Sequence, residues 1–213
     1  MPVSGAPEVN RKCVVISEES LQVREIGVSI PRCRYPDIVE PVFVLGIDPG
    51  LTRCGYGAVR RARDGLHAVA AGVLRTDPVT PLPQRLAELQ DGLRSLMGEL
   101  QPDVVAVERV FFQVNVRTAM SVGQASGLAM AEAVNAGCEV VQYTPNEVKK
   151  AVTGAGGADK GQVQRMVSAL LGLSEFDAPA DAFDALALAL CHQAVAPLRS
   201  RVRAATTALG AQP

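Results

Sequence analysis

The fold of this chain is decided by the stretch Val44-Leu45-Gly46-Ile47-Asp48-Pro49-Gly50. An apolar run that ends in a carboxylate and a Pro-Gly turn predicts a buried strand terminating at Asp48. A carboxylate at the end of a buried strand is costly to desolvate unless a cation offsets its charge. Asp48 is therefore a candidate metal ligand, and its importance depends on whether other carboxylates reach the same place.

The pattern that follows Asp48 predicts an α/β fold. Two strands joined by a turn at 63–65 are followed by units in which a helix precedes a strand, and this order predicts a mixed five-stranded sheet with helices on both faces. The predicted strands are 42–48, 55–61, 67–75, 103–108 and 139–143. The predicted helices are 82–100, 116–136, about 145–152, 159–172 and 180–195.

The chain divides into three parts by composition. Residues 42–196 carry the regular pattern and are predicted to form one domain. Residues 1–41 contain four interrupting prolines and only short apolar runs, so we expect an extension of low order. A misplaced start of translation, with the true start at Val42, would account for it. Residues 197–213 are predicted to form a basic, flexible tail.

Three further acids are candidates to join Asp48. Glu108 ends the fourth predicted strand, and parallel neighbouring strands would place it beside Asp48 at the carboxyl edge of the sheet. Asp181 and Asp184 are spaced i, i+3 in the first turn of the last predicted helix, where acids are favoured. Each acid alone could be a helix cap, a turn residue or a partner of an arginine. Together they predict an all-oxygen site for Mg²⁺ or Mn²⁺, with two ions available to act on a phosphodiester.

Composition excludes several classes of protein. The net charge of −1 does not point to nucleic acid, although acids gathered in one metal site would leave the remaining surface more basic. We expect a cytoplasmic protein because the sequence has neither an apolar run long enough to span a bilayer nor a signal peptide. The five scattered cysteines include no CxxC pair, which argues against a zinc site or a disulfide framework.

With these residues in place, the chain resembles bacterial Holliday junction resolvases of the RuvC type over residues 42 to about 194. The motifs are Gly-Ile-Asp-Pro-Gly at 46–50 with Gly-Tyr-Gly at 55–57, Glu-Arg-Val-Phe at 108–111, Gly-Gln-Ala-Ser-Gly at 123–127, and Asp-Ala-Phe-Asp-Ala-Leu at 181–186. The resemblance implies an RNase H-like fold and a homodimer that nicks two strands of a four-way DNA junction symmetrically, leaving 5′-phosphate ends. It also implies cooperation with a RuvA–RuvB branch-migration complex.

The resemblance assigns roles to named residues. Asp48, Glu108, Asp181 and Asp184 correspond to the catalytic, metal-binding acids. Phe111, or its neighbour Phe112, corresponds to an aromatic residue that stacks on bases near the cleaved bond. Contacts with the DNA backbone are implied for Lys149, Lys150, Lys160 and Arg165, and Arg117 could add non-specific phosphate contacts. The helix at 118–134, rich in small residues, is implied to lie at the dimer interface, and a buried helix within one subunit is the alternative.

Three other functions remain open on the sequence alone. A same-fold nuclease that matures ribosomal RNA also begins with a Gly-x-Asp-x-Gly strand. An ATPase of the actin or sugar-kinase type shares a strand ending in Asp, but it needs a second domain and phosphate loop that this chain lacks. A non-catalytic junction-binding protein is the third.

His192, two helical turns beyond Asp184, is not counted as a ligand.

Overall fold

A mixed β-sheet forms the centre of the molecule, seen in a computed structural model that describes residues 12–16, 23–27, 42–109, 116–173 and 178–210. The strands are β1 Lys12–Ile16, β2 Val23–Gly27, β3 Phe43–Asp48, β4 Arg53–Ala62, β5 Gly65–Arg75, β6 Val104–Glu108 and β7 Glu139–Tyr143. The helices are α1 Leu82–Leu100, α2 Val116–Asn135, α3 Pro145–Thr153, α4 Lys160–Leu171 and α5 Ala180–Gly210. The strands lie in the order β2-β1-β5-β4-β3-β6-β7.

The five predicted strands all form, in the predicted arrangement. Strands β3, β4 and β5 are an antiparallel meander, because short turns can join only antiparallel neighbours. Strands β6 and β7 follow helices and therefore run parallel to β3. The central strands β3 and β6 are covered on both faces, which explains their continuous apolar sequence.

The sheet has seven strands rather than five, because the predicted extension contributes β1 and β2. These two strands pair antiparallel with each other, and β1 lies parallel to β5 with Val14 opposite Ala70. The short apolar runs of residues 1–41 predict an extension of low order, and neither strand is predicted from the sequence. The open edge of β5 provides backbone hydrogen-bonding groups to which such a run can add.

Helices cover both faces of the sheet, as predicted. Helices α1 and α2 pack on one face around Leu89, Leu93 and Ala129. Helices α3, α4 and α5 pack on the other face around Val148, Val167 and Leu186. Because Asp48, Glu108 and Tyr143 occupy alternate positions with residues of this second core, they belong to the face that α5 crosses.

Glycines let α5 lie directly on the sheet. A Cβ atom at Gly46 would overlap the backbone of Ala185 and lie 2.9 Å from the nitrogen of Ala189. A Cβ atom at Gly57 would lie 2.6 Å from the nitrogen of Leu186, again in the backbone of α5. The backbone-to-backbone contact fixes the height of α5 above β3 and β4, and it thereby sets the position of the acids at its start.

Helix α5 is longer than predicted. Sequence analysis ended it at residue 195, before Pro197, and expected a flexible tail; the helix instead includes Pro197 and continues to Gly210. A proline removes one intrahelical hydrogen bond but does not always end a helix. The Ala- and Arg-rich sequence at 198–205 has high helix propensity, which favours continuation.

Candidate active site

Two acids come together at the carboxyl edge of the sheet. Strands β3 and β6 are parallel neighbours with Ile47 opposite Val107, so Asp48 and Glu108 are the next residues on each strand. Both side chains are partly buried. The predicted pairing of these two carboxylates is therefore present, and it follows from strand order and register alone.

The first turn of α5 brings the other two acids to the same edge. Asp184 lines a cleft with Asp48 and Glu108. Asp181 lies outside that lining and accepts hydrogen bonds from Arg53, at 2.7 Å from Nε and 2.5 Å from Nη2. The i, i+3 spacing puts both aspartates on the sheet side of α5, but their side chains contact different cations, Arg53 for Asp181 and Lys160 for Asp184.

The cleft has a volume of about 280 Å³ and is lined by both acidic and basic side chains. Lys149 from α3 and Lys160 from α4 line the cleft with the three acids. Lys160 Nζ donates to Asp184 Oδ2 at 2.6 Å, and more than half of the lysine side chain remains exposed. Apolar walls complete the cleft and are formed by Pro145, Val148, Val163, Ala187 and Leu188.

Electrostatics make Asp48 the most perturbed of the four acids. Burial, followed by the charges of Glu108, Asp184 and Asp181, raises the pKa of Asp48 from 3.8 to about 7, against the opposing effect of Lys160. Burial and then the charge of Asp184 also raise the pKa of Glu108, and a hydrogen bond with Asp48 partly offsets this. The charges of the neighbouring acids therefore add to the effect of burial, and Lys160 opposes only part of it.

The donor set fits a hard divalent cation. All four candidate ligands are carboxylates, and the charges of the neighbouring acids add to burial in raising the pKa of Asp48, so a divalent cation here would relieve their repulsion. Within the described ranges, no three Asp, Glu, His or Cys side chains are close enough to hold an ion as they stand. Asp181 and Asp184 are directed toward Arg53 and Lys160, so an entering ion would have to compete with these two cations.

The predicted DNA contacts divide into three groups. Lys149 and Lys160 lie in the cleft beside the acids. Lys150 is exposed in the last turn of α3, and Arg165 is exposed in a separate groove between the start of α4 and the loop before it. The remaining predicted contacts, Phe111 and Phe112 and the side chain of Arg117, lie outside the described residues.

Sequence analysis missed Arg53, which contacts a candidate catalytic acid. The signal was available in the topology, since Arg53 opens the strand that returns from the Asp48 turn and must lie at the same sheet edge. His192, which was not counted as a ligand, is buried, and its Nδ1 lies 2.9 Å from the hydroxyl oxygen of Tyr143. That contact explains a polar residue in the apolar part of α5.

The fold is similar to those of solved structures. The structure described as "T. thermophilus RuvC in complex with Holliday junction substrate" matches with a TM-score of 0.69 and 35% identity, covering 74% of this chain and 96% of that one. A second Thermus thermophilus RuvC structure matches with a TM-score of 0.68 and 35% identity, covering 73% and 96%. A mixed sheet with acids at its carboxyl edge and a helix laid across it defines this chain as an RNase H-like protein of the resolvase class.

Sequence comparison identifies the family. The family model "Crossover junction endodeoxyribonuclease RuvC" matches residues 44–192. A protein of that description from Salinispora arenicola is 55% identical over 163 residues, covering 76% of this chain and 93% of its own. One from Corynebacterium jeikeium is 49% identical over 160 residues, covering 75% and 98%. The chain belongs to the RuvC family of crossover junction endodeoxyribonucleases.

Among its described helices, none is long and apolar enough to cross a membrane.

Proposed function

We propose that this protein resolves four-way DNA junctions by nicking two strands of like polarity in a metal-dependent reaction that leaves 5′-phosphate ends. The observation that carries the proposal is the cleft that Asp48, Glu108 and Asp184 line together with Lys149 and Lys160. The acids suit cation binding, and the lysines suit a phosphodiester. Its homologues carry the name crossover junction endodeoxyribonuclease, which agrees with this chemistry.

The metal is proposed to be Mg²⁺ or Mn²⁺, two ions per subunit, held by Asp48, Glu108, Asp181 and Asp184. Such ions, when bound, polarise a phosphodiester, lower the pKa of a bound water and stabilise the leaving oxygen. The chain's own residues prepare the site. Burial of Asp48 and Glu108 fixes their orientation, and Lys160 limits the repulsion between Asp184 and the other two acids.

DNA would approach over the lysines of the cleft. Lys149 and Lys160 would contact the backbone next to the acids, Lys150 and Arg165 would extend the contact along α3 and α4, and Arg117 would add a further contact. Phe111 or Phe112 would stack on a base beside the cleaved bond. Because each phosphate contact releases counterions, affinity for the junction should fall steeply with salt.

The protein is proposed to act as a homodimer through α2. The side of α2 away from the sheet carries Met120, Gly123, Gly127, Ala131 and Val134, all exposed and spaced by three or four residues. About 60% of the Met120 side chain and 64% of the Val134 side chain are exposed, which is unusual for large apolar residues. A stripe of small and apolar residues lets a second helix approach closely. We also propose that it cooperates with a RuvA–RuvB branch-migration complex in the cytoplasm.

Sedimentation tests the dimer. Met120→Glu should shift the protein to monomer because it places a charge in the contact between the two α2 helices. Met166→Glu is the matched control, since Met166 is also exposed but lies on α4. If both variants sediment as the wild type does, the dimer does not form through α2.

Cleavage of a labelled synthetic four-way junction tests the activity. Wild-type protein should nick opposed strands with Mg²⁺ or Mn²⁺, and the nicks should be sealed by DNA ligase because they carry 5′-phosphates. Asp48→Asn and Glu108→Gln should bind the junction without cutting it, whereas the exposed control Glu88→Gln should cut normally. Normal cutting by Asp48→Asn would remove the metal-site assignment. Cleavage of a structured ribosomal RNA precursor in place of the junction would favour the RNA-maturation alternative.

A further inference from the structure

Arg85 is a fixed cation without a carboxylate partner among the described residues. It lies in the first turn of α1, next to the turn that joins β3 to β4. Its Nε donates to Thr76 Oγ1 at 2.9 Å and its Nη2 donates to Thr52 Oγ1 at 2.7 Å. Both acceptors are neutral hydroxyls. The guanidinium is therefore oriented, but its charge is not neutralised by the protein.

The hydroxyls that hold Arg85 are themselves fixed. Thr76 is buried, and its hydroxyl donates to the carbonyl oxygen of Leu51 at 2.6 Å, so it accepts from Arg85. The backbone nitrogen of Thr76 donates to the carbonyl oxygen of Thr52 at 3.3 Å. Arg85 is thus tied to the turn that begins directly after Asp48. Holding a long, charged side chain in one geometry has an entropic cost, and the two hydrogen bonds to hydroxyls that offset it leave the charge of Arg85 without a counter-charge.

The position of Arg85 complements that of the cleft lysines. Lys149 and Lys160 flank the acids on the sheet face covered by α3, α4 and α5, whereas α1 and Arg85 belong to the opposite face. Arg53, which follows Thr52 in the chain, donates a hydrogen bond to Asp181 at the start of α5. This contact links the turn that holds Arg85 to the acids on the α5 face of the sheet. The acids repel a phosphodiester, so a strand that crosses them is best held by cations on both sides.

We propose that Arg85 and the Thr52 hydroxyl bind a backbone phosphate of the junction DNA on the α1 side of the acidic edge. A guanidinium presents several donors in a fixed fork, and a phosphate oxygen can accept from it while Thr52 contributes its hydroxyl hydrogen. The site rests on the proposed function, because it holds the same DNA strand as the cleft.

The test is the salt dependence of junction binding, measured without divalent metal so that no cleavage occurs. Arg85→Gln should reduce the slope of log K against log salt by about 0.9, the value for one phosphate contact. The wild type would then lose about threefold more affinity than Arg85→Gln over a fourfold rise in salt. Arg85→Lys keeps the charge and should retain the wild-type slope. Arg94→Gln is the control on the same helix, since Arg94 is already paired with Glu132 and Asp91.

Phosphate-ethylation interference on the same complexes locates the contact. Ethylation at one phosphate should weaken binding by the wild type and have no effect on Arg85→Gln. An unchanged slope in Arg85→Gln overturns the site. An equal loss in Arg85→Gln and Arg85→Lys also overturns it, because it would mean that Arg85 only supports the turn. Failure of the wild type to bind any junction would instead overturn the proposed function along with this site.

Discussion

Removing the charge of Asp48 should stabilise the metal-free protein, and the gain should grow with pH. The unfolded chain releases the Asp48 proton near pH 3.8, whereas in the folded protein the pKa of Asp48 is about 7. Between these values the folded state binds more protons, so the stability of the wild type falls as pH rises and levels off above pH 7. The Asp48→Asn variant carries no charge at this position and escapes the loss.

The magnitude follows from the size of the shift. At 1.36 kcal/mol per pKa unit, Asp48→Asn gains about 1.5 kcal/mol over the wild type at pH 5 and about 4 kcal/mol at pH 8. The neighbouring Glu108 carboxylate contributes to this shift, so Glu108→Gln should also stabilise the metal-free protein as the pH rises. Near pH 4 the two proteins should approach equal stability, since the side chain at position 48 is then largely neutral in both folded proteins.

Urea unfolding followed by circular dichroism, in the presence of a chelator at several pH values, measures this difference. Glu88→Gln, which removes an exposed acid from α1, should stay within about 0.5 kcal/mol of the wild type throughout. Saturating Mg²⁺ should stabilise the wild type more than Asp48→Asn, because the ion offsets charge that the variant has lost. A difference between wild type and Asp48→Asn that does not change with pH would refute the electrostatic account of this site.

The remaining predictions concern packing, an internal ion pair and thiol reactivity. Gly46→Ala should lower thermal stability and cleavage together, since its Cβ would force α5 off the sheet. The control Gly98→Ala on α1 has open space around its Cβ and should be neutral or stabilising by about 0.5–1 kcal/mol. Equal melting temperatures of Gly46→Ala and the wild type would contradict the close packing. Glu132→Gln should destabilise by about 2 kcal/mol at pH 7, because buried Glu132 accepts charge-assisted hydrogen bonds from α1. The pKa of Glu132 is lowered, so this stabilisation is present above about pH 4.5 and is lost as the pH falls below it. Urea unfolding should therefore separate the wild type from Glu132→Gln at pH 7 but not well below pH 4.5. Burial raises the pKa of Cys54 to about 12, so mass spectrometry after brief alkylation should find the more exposed Cys138 modified first; faster labelling of Cys54 would mean that β4 opens readily.

The sheet and its acidic edge could be predicted from sequence because their causes are local. An apolar run ending in Asp48, another ending in Glu108 and a helical unit between them determine two parallel strands with their carboxylates side by side. Asp181 and Asp184 were predictable as members of the first turn of α5, because their spacing reports the helical period.

What the sequence could not predict depends on long-range contacts. Asp181 contacts Arg53, whereas Asp184 contacts Lys160. These contacts depend on the height of α5 above the sheet, and glycines on the strands beneath it set that height. Strand β1 forms only because β5 has an open edge. The continuation of α5 beyond Pro197 depends on a balance between proline and its helix-forming neighbours, which local rules resolve in favour of a stop.

Because α5 packs directly on the sheet, its synthesis also determines when the protein can become active. Arg53 and Asp181 are 128 residues apart, and the Gln193 side chain bonds the carbonyl oxygen of Val42 across 151 residues. A ribosome must therefore release the final helix before the earliest core strand is covered and the acids assemble. A nascent or truncated chain without α5 lacks Asp181 and Asp184, and we therefore expect it not to cut DNA.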